Sequence, residues 1–452
     1  MKPKVKDVSS ALRAVARPIQ EFLRLESSSG ILLFVFTALA LMWANSAWAH
    51  SYDEIWHTEI SIGIGSYAVS KSLLHWINDG LMALFFFVVG LEIKREMLIG
   101  ELASLRKALL PVIAALGGMI MPALIYVVLN RGTERIAGWG IPMATDIAFS
   151  LGVLALLGGR IPIQLKVFLT AFAIVDDIGA VIVIAFFYAS GFVWSHLLLA
   201  AILLLLLVAA NWMGVRHPLV YAILGFLLWI AFLDSGIHGT VAGVLIAMTI
   251  PARSTLDRQE FLERSYGILR QLERGEKMEG SMAAEEGPQA SVRALAELAE
   301  EVEAPTQRFE HALHPWVTFF IMPLFALANA GVTFEQGVGA LVMNPAALGV
   351  FLGLVLGKQL GITLFSWTAV KIRIASLPTA VTWRHIYGVG WLGGIGFTMS
   401  LFIASLAFGP SPVLDASKLG IYAASVVSGL GGLWILRRKV VVSKGRQRQE
   451  AA

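Results

Sequence analysis

Four ionisable residues stand inside long apolar runs, and their types define a narrow chemistry: Asp146, Asp176, Asp177 and Lys358. A charged group at the centre of a bilayer costs roughly 2.5–3.5 kcal/mol on insertion scales, so such residues mark function more often than accident. A purely structural ion pair needs one acid and one base. Three acids against one amine leave two carboxylates over. Adjacent carboxylates, together with main-chain carbonyls freed at a helix break, form a hard oxygen site that suits a small hard cation and not a soft metal. Such a site can exist protonated, or ionised with a cation bound. If proton and cation exclude each other at one carboxylate, and the site opens to each side in turn, their fluxes are coupled. Lys358 can hold one carboxylate ionised until the cation displaces it.

The elements that must position these groups are apolar helices. The chain has 452 residues, 57% hydrophobic and only 15% charged, where a soluble domain is about 25% charged. That excludes a soluble enzyme, a disordered chain and a nucleic-acid binder. The absence of cysteine excludes disulfides, thiolate metal sites and cysteine nucleophiles. A helix needs about 20 apolar residues to cross the hydrocarbon core. Twelve segments qualify, two of them short: 29–47, 74–97, 108–129, 135–157, 163–188, 195–212, 218–232, 236–250, 313–330, 347–370, 385–408 and 417–436. The expected class is an all-α polytopic membrane protein. At about 1.5 Å rise per residue, all four ionisable groups fall near the midplane of their spans.

Charge asymmetry orients the spans. With residue 1 in the cytoplasm, the outer loops hold only Lys71, Arg131, Arg135 and Lys418, and the basic residues of the other loops and of the two ends fall inside. Both termini are then cytoplasmic. The first apolar segment is trailed by Ala47-Trp48-Ala49, which could mark a cleaved leader, but the preceding region is long for one and the apolar run reaches span length.

Residues 1–28 form a basic arm and 437–452 a basic tail. The alternation in 50–71, as in Thr58-Glu59-Ile60-Ser61-Ile62-Gly63-Ile64, predicts a small hairpin on the outer face. Residues 251–310 form a long cytoplasmic loop of mixed charge. Within 108–188 the middle segment carries Ile141-Pro142-Met143-Ala144-Thr145-Asp146, and within 347–436 it carries Gly388, Gly390, Gly393, Gly394 and Gly396. Both middle helices are expected to be broken. The two trios begin seven spans apart, hence in opposite orientation. Paired interrupted helices in inverted repeats point to a transporter site at the midplane, an association drawn in part from the family named below.

A second set is Glu92, Arg95 and Glu96, whose i, i+3, i+4 spacing puts them on one helix face. It reads either as an ordinary charged helix end or as a pH-responsive funnel mouth. His238, Glu310, His311 and His314 carry the same two readings, since an imidazole titrates near neutrality. No G-x-x-x-x-G-K-[ST] phosphate loop occurs, so no nucleotide is expected. Paired intramembrane acids also suggest an aspartyl protease. Here, however, the acids are adjacent and no Gly-x-Gly-Asp is present. A sodium-coupled solute symporter is the remaining alternative.

At these residues the chain resembles the bacterial NhaA-type sodium/proton antiporters. Ile141 to Phe149 is similar to that family's broken-helix segment, and Val175-Asp176-Asp177-Ile178-Gly179-Ala180 to its paired-aspartate motif. Gly90-Leu91-Glu92-Ile93-Lys94-Arg95-Glu96 resembles its pH-response segment, and Leu356-Gly357-Lys358-Gln359-Leu360-Gly361 carries the matching lysine. His314-Pro315-Trp316 and the run Leu324 to Gly331 also match, so the resemblance covers roughly 26–436. It implies twelve helices with an inverted repeat in the bacterial inner membrane, and a homodimer built partly through the outer hairpin. It also implies electrogenic, pH-regulated exchange of sodium or lithium for protons without a cofactor. By matching positions, Asp177 would be the principal cation ligand and proton carrier, with Asp176 its neighbour paired to Lys358. Thr145 and Asp146 would support the site and balance helix ends. Glu92, Arg95, Glu96, His238 and Glu310 would belong to pH regulation. The 251–304 loop is much longer here than the usual family connection.

Overall fold

The computed structural model describes residues 28–64, 67–189, 191–252, 258–274, 292–296, 298–299, 304–333, 339 and 344–437. The predicted N-terminal arm, nearly all of the C-terminal tail and much of the 251–310 loop lie outside them. The helices are α1 Ser28–Ala44, α2 Ala49–His57, α3 Leu73–Leu98, α4 Leu105–Asn130, α5 Ile147–Ala155, α6 Ile163–Phe187, α7 Trp194–Trp212 and α8 Pro218–Ser235. They continue with α9 Gly239–Thr249, α10 Arg258–Arg274, α11 Pro305–Asn329, α12 Pro345–Lys371, α13 Trp383–Gly393, α14 Phe397–Phe408 and α15 Pro412–Arg437. A 3-10 segment, Glu134–Met143, precedes α5.

Each of the twelve apolar segments meets one of these elements. Among the described residues, nine helices are long and apolar enough to cross a membrane, or up to eleven if each of two bent pairs counts as one span. The protein is therefore a multi-pass membrane protein. The eighth segment is realised as an apolar helix of 11 residues. Phe186 on α6, Leu198 and Leu205 on α7 and Phe226 on α8 are exposed apolar residues, as expected of surfaces that meet lipid.

The hairpin is narrower than the alternation suggested. Strands β1 Glu59–Ile64 and β2 Tyr67–Ser72 pair antiparallel with Glu59 opposite Ser72. Residues 49–57 form α2 instead, where Tyr52 and Trp56 recur at i, i+4 and are the buried residues. That helical period outweighs local polarity.

The described residues fall into two compact units. One comprises those of 1–82, 99–189 and 318–452, the other 83–98 and 190–317. The first unit contains the broken elements. Its α4 and α12 approach backbone to backbone: a Cβ on Gly117 or on Gly361 would drive into the other residue's carbonyl. Small residues permit such approaches in membranes, where close packing holds helices together. Gly361→Ala is expected to lower the melting temperature in detergent, with overpacking costing about 1–3 kcal/mol. Gly267→Ala, where a Cβ meets nothing within 4 Å, is the control and should not lower it.

In the same unit the C-terminal end of α11 is heavily capped. The Tyr52 hydroxyl donates to the Leu327 carbonyl (2.8 Å) and accepts from the Gly331 amide (3.0 Å). Asn45, Tyr422 and Lys418 donate to the carbonyls of Val332, Ala330 and Gly331. The bond to Leu327 satisfies a carbonyl that the helix end leaves unpaired, and the others hold the chain that follows it.

Candidate functional site

The first unit builds its site where two interrupted elements meet. After the 3-10 segment, Ala144, Thr145 and Asp146 run extended before α5 begins. The second interruption, at Gly394, Ile395 and Gly396, separates α13 from α14 with a bend of 44°. Pro142, Gly393, Gly394 and Gly396 lie at or beside these breaks, whereas Gly388 and Gly390 lie within α13. The main-chain groups released by one break are taken up by the other. The Asp146 amide donates to the Ile395 carbonyl (2.7 Å), and the Thr145 hydroxyl to the Gly393 carbonyl (2.9 Å).

Asp146 is seated at two helix starts at once. One carboxylate oxygen accepts from the Phe149 amide of α5 (3.0 Å), and the other from the Thr398 amide (3.1 Å) and hydroxyl of α14. An aspartate is favoured at an N-cap, and its charge also opposes the positive ends of two helix dipoles. Two serines complete the join reciprocally. Ser150, four residues past Asp146, donates to the Leu392 carbonyl (2.9 Å), and Ser400, four residues past Gly396, to the Ile141 carbonyl (2.8 Å). Both are fully buried. Removing either hydroxyl loses a buried hydrogen bond, at about 0.5–1.5 kcal/mol. Ser150→Ala and Ser400→Ala are each expected to melt earlier than the parent. Ser428→Ala, which removes a buried hydroxyl that has no hydrogen-bond partner, should not.

Asp176 and Asp177 lie mid-way along α6, and Lys358 lies in α12 after a π-helical turn at Gly353–Gly357. Glycine lets that turn pack closely: a Cβ on Gly353 would come within 2.7 Å of Pro142, and one on Gly357 within 2.6 Å of Pro122. Lys358 is thereby delivered to Asp176, and its Nζ donates to both carboxylate oxygens at 3.0 and 2.8 Å. Neither side chain is exposed to solvent. The ammonium also lies 5.7 Å from the centroid of the Phe172 ring. Thr145 lies against the Asp176 carboxylate, and Asp177 is within electrostatic reach of Lys358.

Thr145, Asp176, Asp177 and Lys358 thus gather in one buried place, with Asp146 next in chain to Thr145. Asp146 is committed to the helix starts. Among the described residues no three acidic, histidine or cysteine side chains form a metal-holding group. Of the residues predicted to hold the cation, Asp176, Asp177 and Thr145 lie in this place, and Asp146 accepts from the starts of α5 and α14. Sequence reasoning did not single out Thr398, Ser150 or Ser400. Thr398 lies in the first turn of α14, two residues past its N-cap Gly396, so no cap signal marks it in the sequence.

The second unit holds the other predicted cluster. Arg95 pairs with Glu310, Glu96 (3.5 Å) and Glu92 (4.0 Å). His238 stands at the N-cap position of α9. Lys94, also missed, donates to the Met248 (2.6 Å) and Ile250 carbonyls at the end of α9. Thr306 closes the base of the long loop, its amide and hydroxyl donating to the Pro251 carbonyl at 3.2 and 2.9 Å.

Comparison with known proteins finds the family Na+/H+ antiporter 1 matching residues 20–436. The Na(+)/H(+) antiporter NhaA of Oleidesulfovibrio alaskensis is 51% identical over 434 residues, 96% of either chain. That of Koribacter versatilis is 51% identical over 428 residues, 95% of this chain and 93% of the relative. The Na(+)/H(+) antiporter NhaA 2 of Syntrophotalea carbinolica is 48% identical over 423 residues, 93% of this chain and 96% of the relative.

Proposed function

The chain belongs to the Na+/H+ antiporter 1 family and is a transporter, not an enzyme, and on that premise we propose that it exports sodium, or lithium, in exchange for protons. The observation that carries this reading is the buried Lys358–Asp176 pair beside Asp177. Charges taken out of water persist only when paired or when they coordinate an ion. Without a cation, Lys358 neutralises Asp176, and Asp177 holds a proton. A sodium ion arriving at the Asp176 and Asp177 oxygens offers the positive charge that proton and ammonium supplied. The two states exclude each other. Opening to one side and then the other converts that exclusion into exchange. We take the exchange to be electrogenic and driven by the proton gradient: for each sodium ion bound, Lys358, displaced from Asp176, gives up a proton besides that of Asp177.

The reading extends to architecture. Counting α9 beside the eleven spans allowed by length and composition gives twelve, with both termini cytoplasmic in the bacterial inner membrane. The matched serine bonds at the two breaks support an inverted repeat. An isolated two-stranded hairpin is marginal in water, which supports pairing of β1 and β2 across a homodimer.

Glu92, Arg95, Glu96 and Glu310, with His238, set the response to pH. Arg95 joins three carboxylates, so protonation of any one redistributes the rest. Glu310→Gln removes one carboxylate charge facing Arg95. It is expected to move the pH at which exchange turns on while leaving exchange intact at the new optimum, measured as rate against pH in vesicles.

The test of the whole reading is reconstitution in vesicles with an entrapped pH dye. Sodium added to one side should move protons the other way, and a clamped membrane potential should change the rate. No proton movement with sodium, or uptake of an organic solute without proton counterflow, would refute antiport.

A further inference from the structure

The long connection between α9 and α11 carries α10, which the exchange mechanism does not use. Its apolar residues fall on one side. Leu262, Tyr266 and Leu269 recur at i, i+4 and i+7 and are 44, 62 and 45% exposed. Phe261 and Ile268 beside them are half-buried, Glu260 and Arg264 on the opposite arc are exposed, Glu263 and Arg270 flank the stripe, and exposed Glu273 stands on it at the C-terminal end. Arg264 pairs with Glu260 at 2.5 Å along that polar face. This is an amphipathic helix whose apolar stripe is half covered.

Three observations bear on what covers the rest. First, eight residues separate Thr249, the last of apolar α9, from Arg258. At no more than about 3.6 Å per residue, α10 begins within about 30 Å of the end of α9. Second, the open face is three side chains over two turns. A stable protein interface buries about 800 Å² on each partner, far more than this stripe offers. A bilayer asks only that an apolar face sink to the boundary between headgroups and acyl chains. Third, the stripe is edged by Tyr266, a residue type enriched at that boundary.

We propose that α10 lies along the surface of the bilayer that the chain itself crosses, with Leu262, Tyr266 and Leu269 in lipid and Glu260 and Arg264 in water. The proposal rests on the chain's being a multi-pass membrane protein and not on which ions it exchanges, so the two can fail separately.

The chain contains no cysteine, so single nitroxide labels can be placed without further engineering. Leu262→Cys, Tyr266→Cys and Leu269→Cys report the apolar face of the full-length protein in lipid vesicles. Glu260→Cys and Arg264→Cys report the polar face. The expected result is an inversion between the faces: apolar-face labels collide with oxygen and are shielded from a water-soluble nickel chelate, and polar-face labels do the reverse. The pattern should persist when the protein is diluted with lipid. Equal access of the nickel chelate to both faces would overturn the proposal. So would shielding of the apolar face from both reagents, which means burial in protein, or shielding that disappears on dilution in lipid, which means a second copy. Because every label sits on an exposed or helix-surface position, the polar-face labels also show whether the helix survives substitution.

Discussion

Asp177→Asn brings sodium-driven proton movement in vesicles down to the level of protein-free vesicles, while the purified variant melts close to the parent. The two halves of this expectation have separate causes. Asparagine keeps the size and shape of the buried side chain, which is 2% exposed, so packing in α6 is undisturbed. It cannot take up or release a proton, and it offers a cation one neutral carbonyl in place of a carboxylate. Both competing ligands lose their common oxygen. The direct hydrogen bonds of Lys358 run to Asp176, so the lysine keeps its partner and no new uncompensated charge is buried. Asp177→Glu restores the charge with one more methylene and is expected to recover part of the exchange with weaker sodium dependence. Dye-monitored exchange together with thermal melting reads both effects. Exchange that survives Asp177→Asn removes Asp177 from the centre of the mechanism. Lost exchange with a collapsed melting temperature reduces it to a structural group.

The residues concerned show how much of this was legible in the sequence. Asp146, Asp176, Asp177 and Lys358 announced themselves because charge is costly in an apolar run. Pro142, Gly393, Gly394 and Gly396 announced the breaks. Their partnership did not follow from spacing. That Lys358 meets Asp176 depends on α4 and α12 touching through Gly117 and Gly361, two glycines that a one-dimensional reading counts as ordinary. The placement of Asp146 at two helix starts depends on Thr398, far away in the chain. Tertiary hydrogen bonds of this kind leave no periodic trace. The twelve apolar segments located helices well, because burial in lipid demands length and hydropathy. The hairpin was located less well. Polar alternation over 50–58 imitated a strand, while Tyr52 and Trp56 were already spaced for a helix. Arg95 and Glu310 were each noticed, but their contact joins residues 215 apart and needed the fold.

Lys358→Met is expected to destabilise the protein more than Asp177→Asn, Gly361→Ala or either serine variant. The lysine is wholly buried, and it neutralises a carboxylate that is equally enclosed. Removing one member of such a pair leaves the other charged in a low-dielectric interior, which costs about 3–5 kcal/mol. Asp176→Asn makes the mirror-image error, leaving an ammonium without its carboxylate, and should also melt early. The informative variant is the double one. Replacing both members of a buried pair with groups of similar volume is often neutral or stabilising, because neither charge then has to be kept from water. Lys358→Met with Asp176→Leu should therefore melt closer to the parent than either Lys358→Met or Asp176→Asn alone, giving a large positive coupling in a double-mutant cycle. It should nonetheless exchange nothing, because the pocket has lost both the oxygen that receives sodium and the amine that yields to it. Two outcomes would sink this expectation. A cycle whose effects merely add would mean that the two charges do not hold each other in the folded protein. A stable double variant that still exchanged sodium for protons would mean that the pair is scaffolding and that coupling resides elsewhere. Stability restored with exchange still absent would show that the pair is kept for the charge it releases when sodium arrives, since folding alone is served as well or better without it.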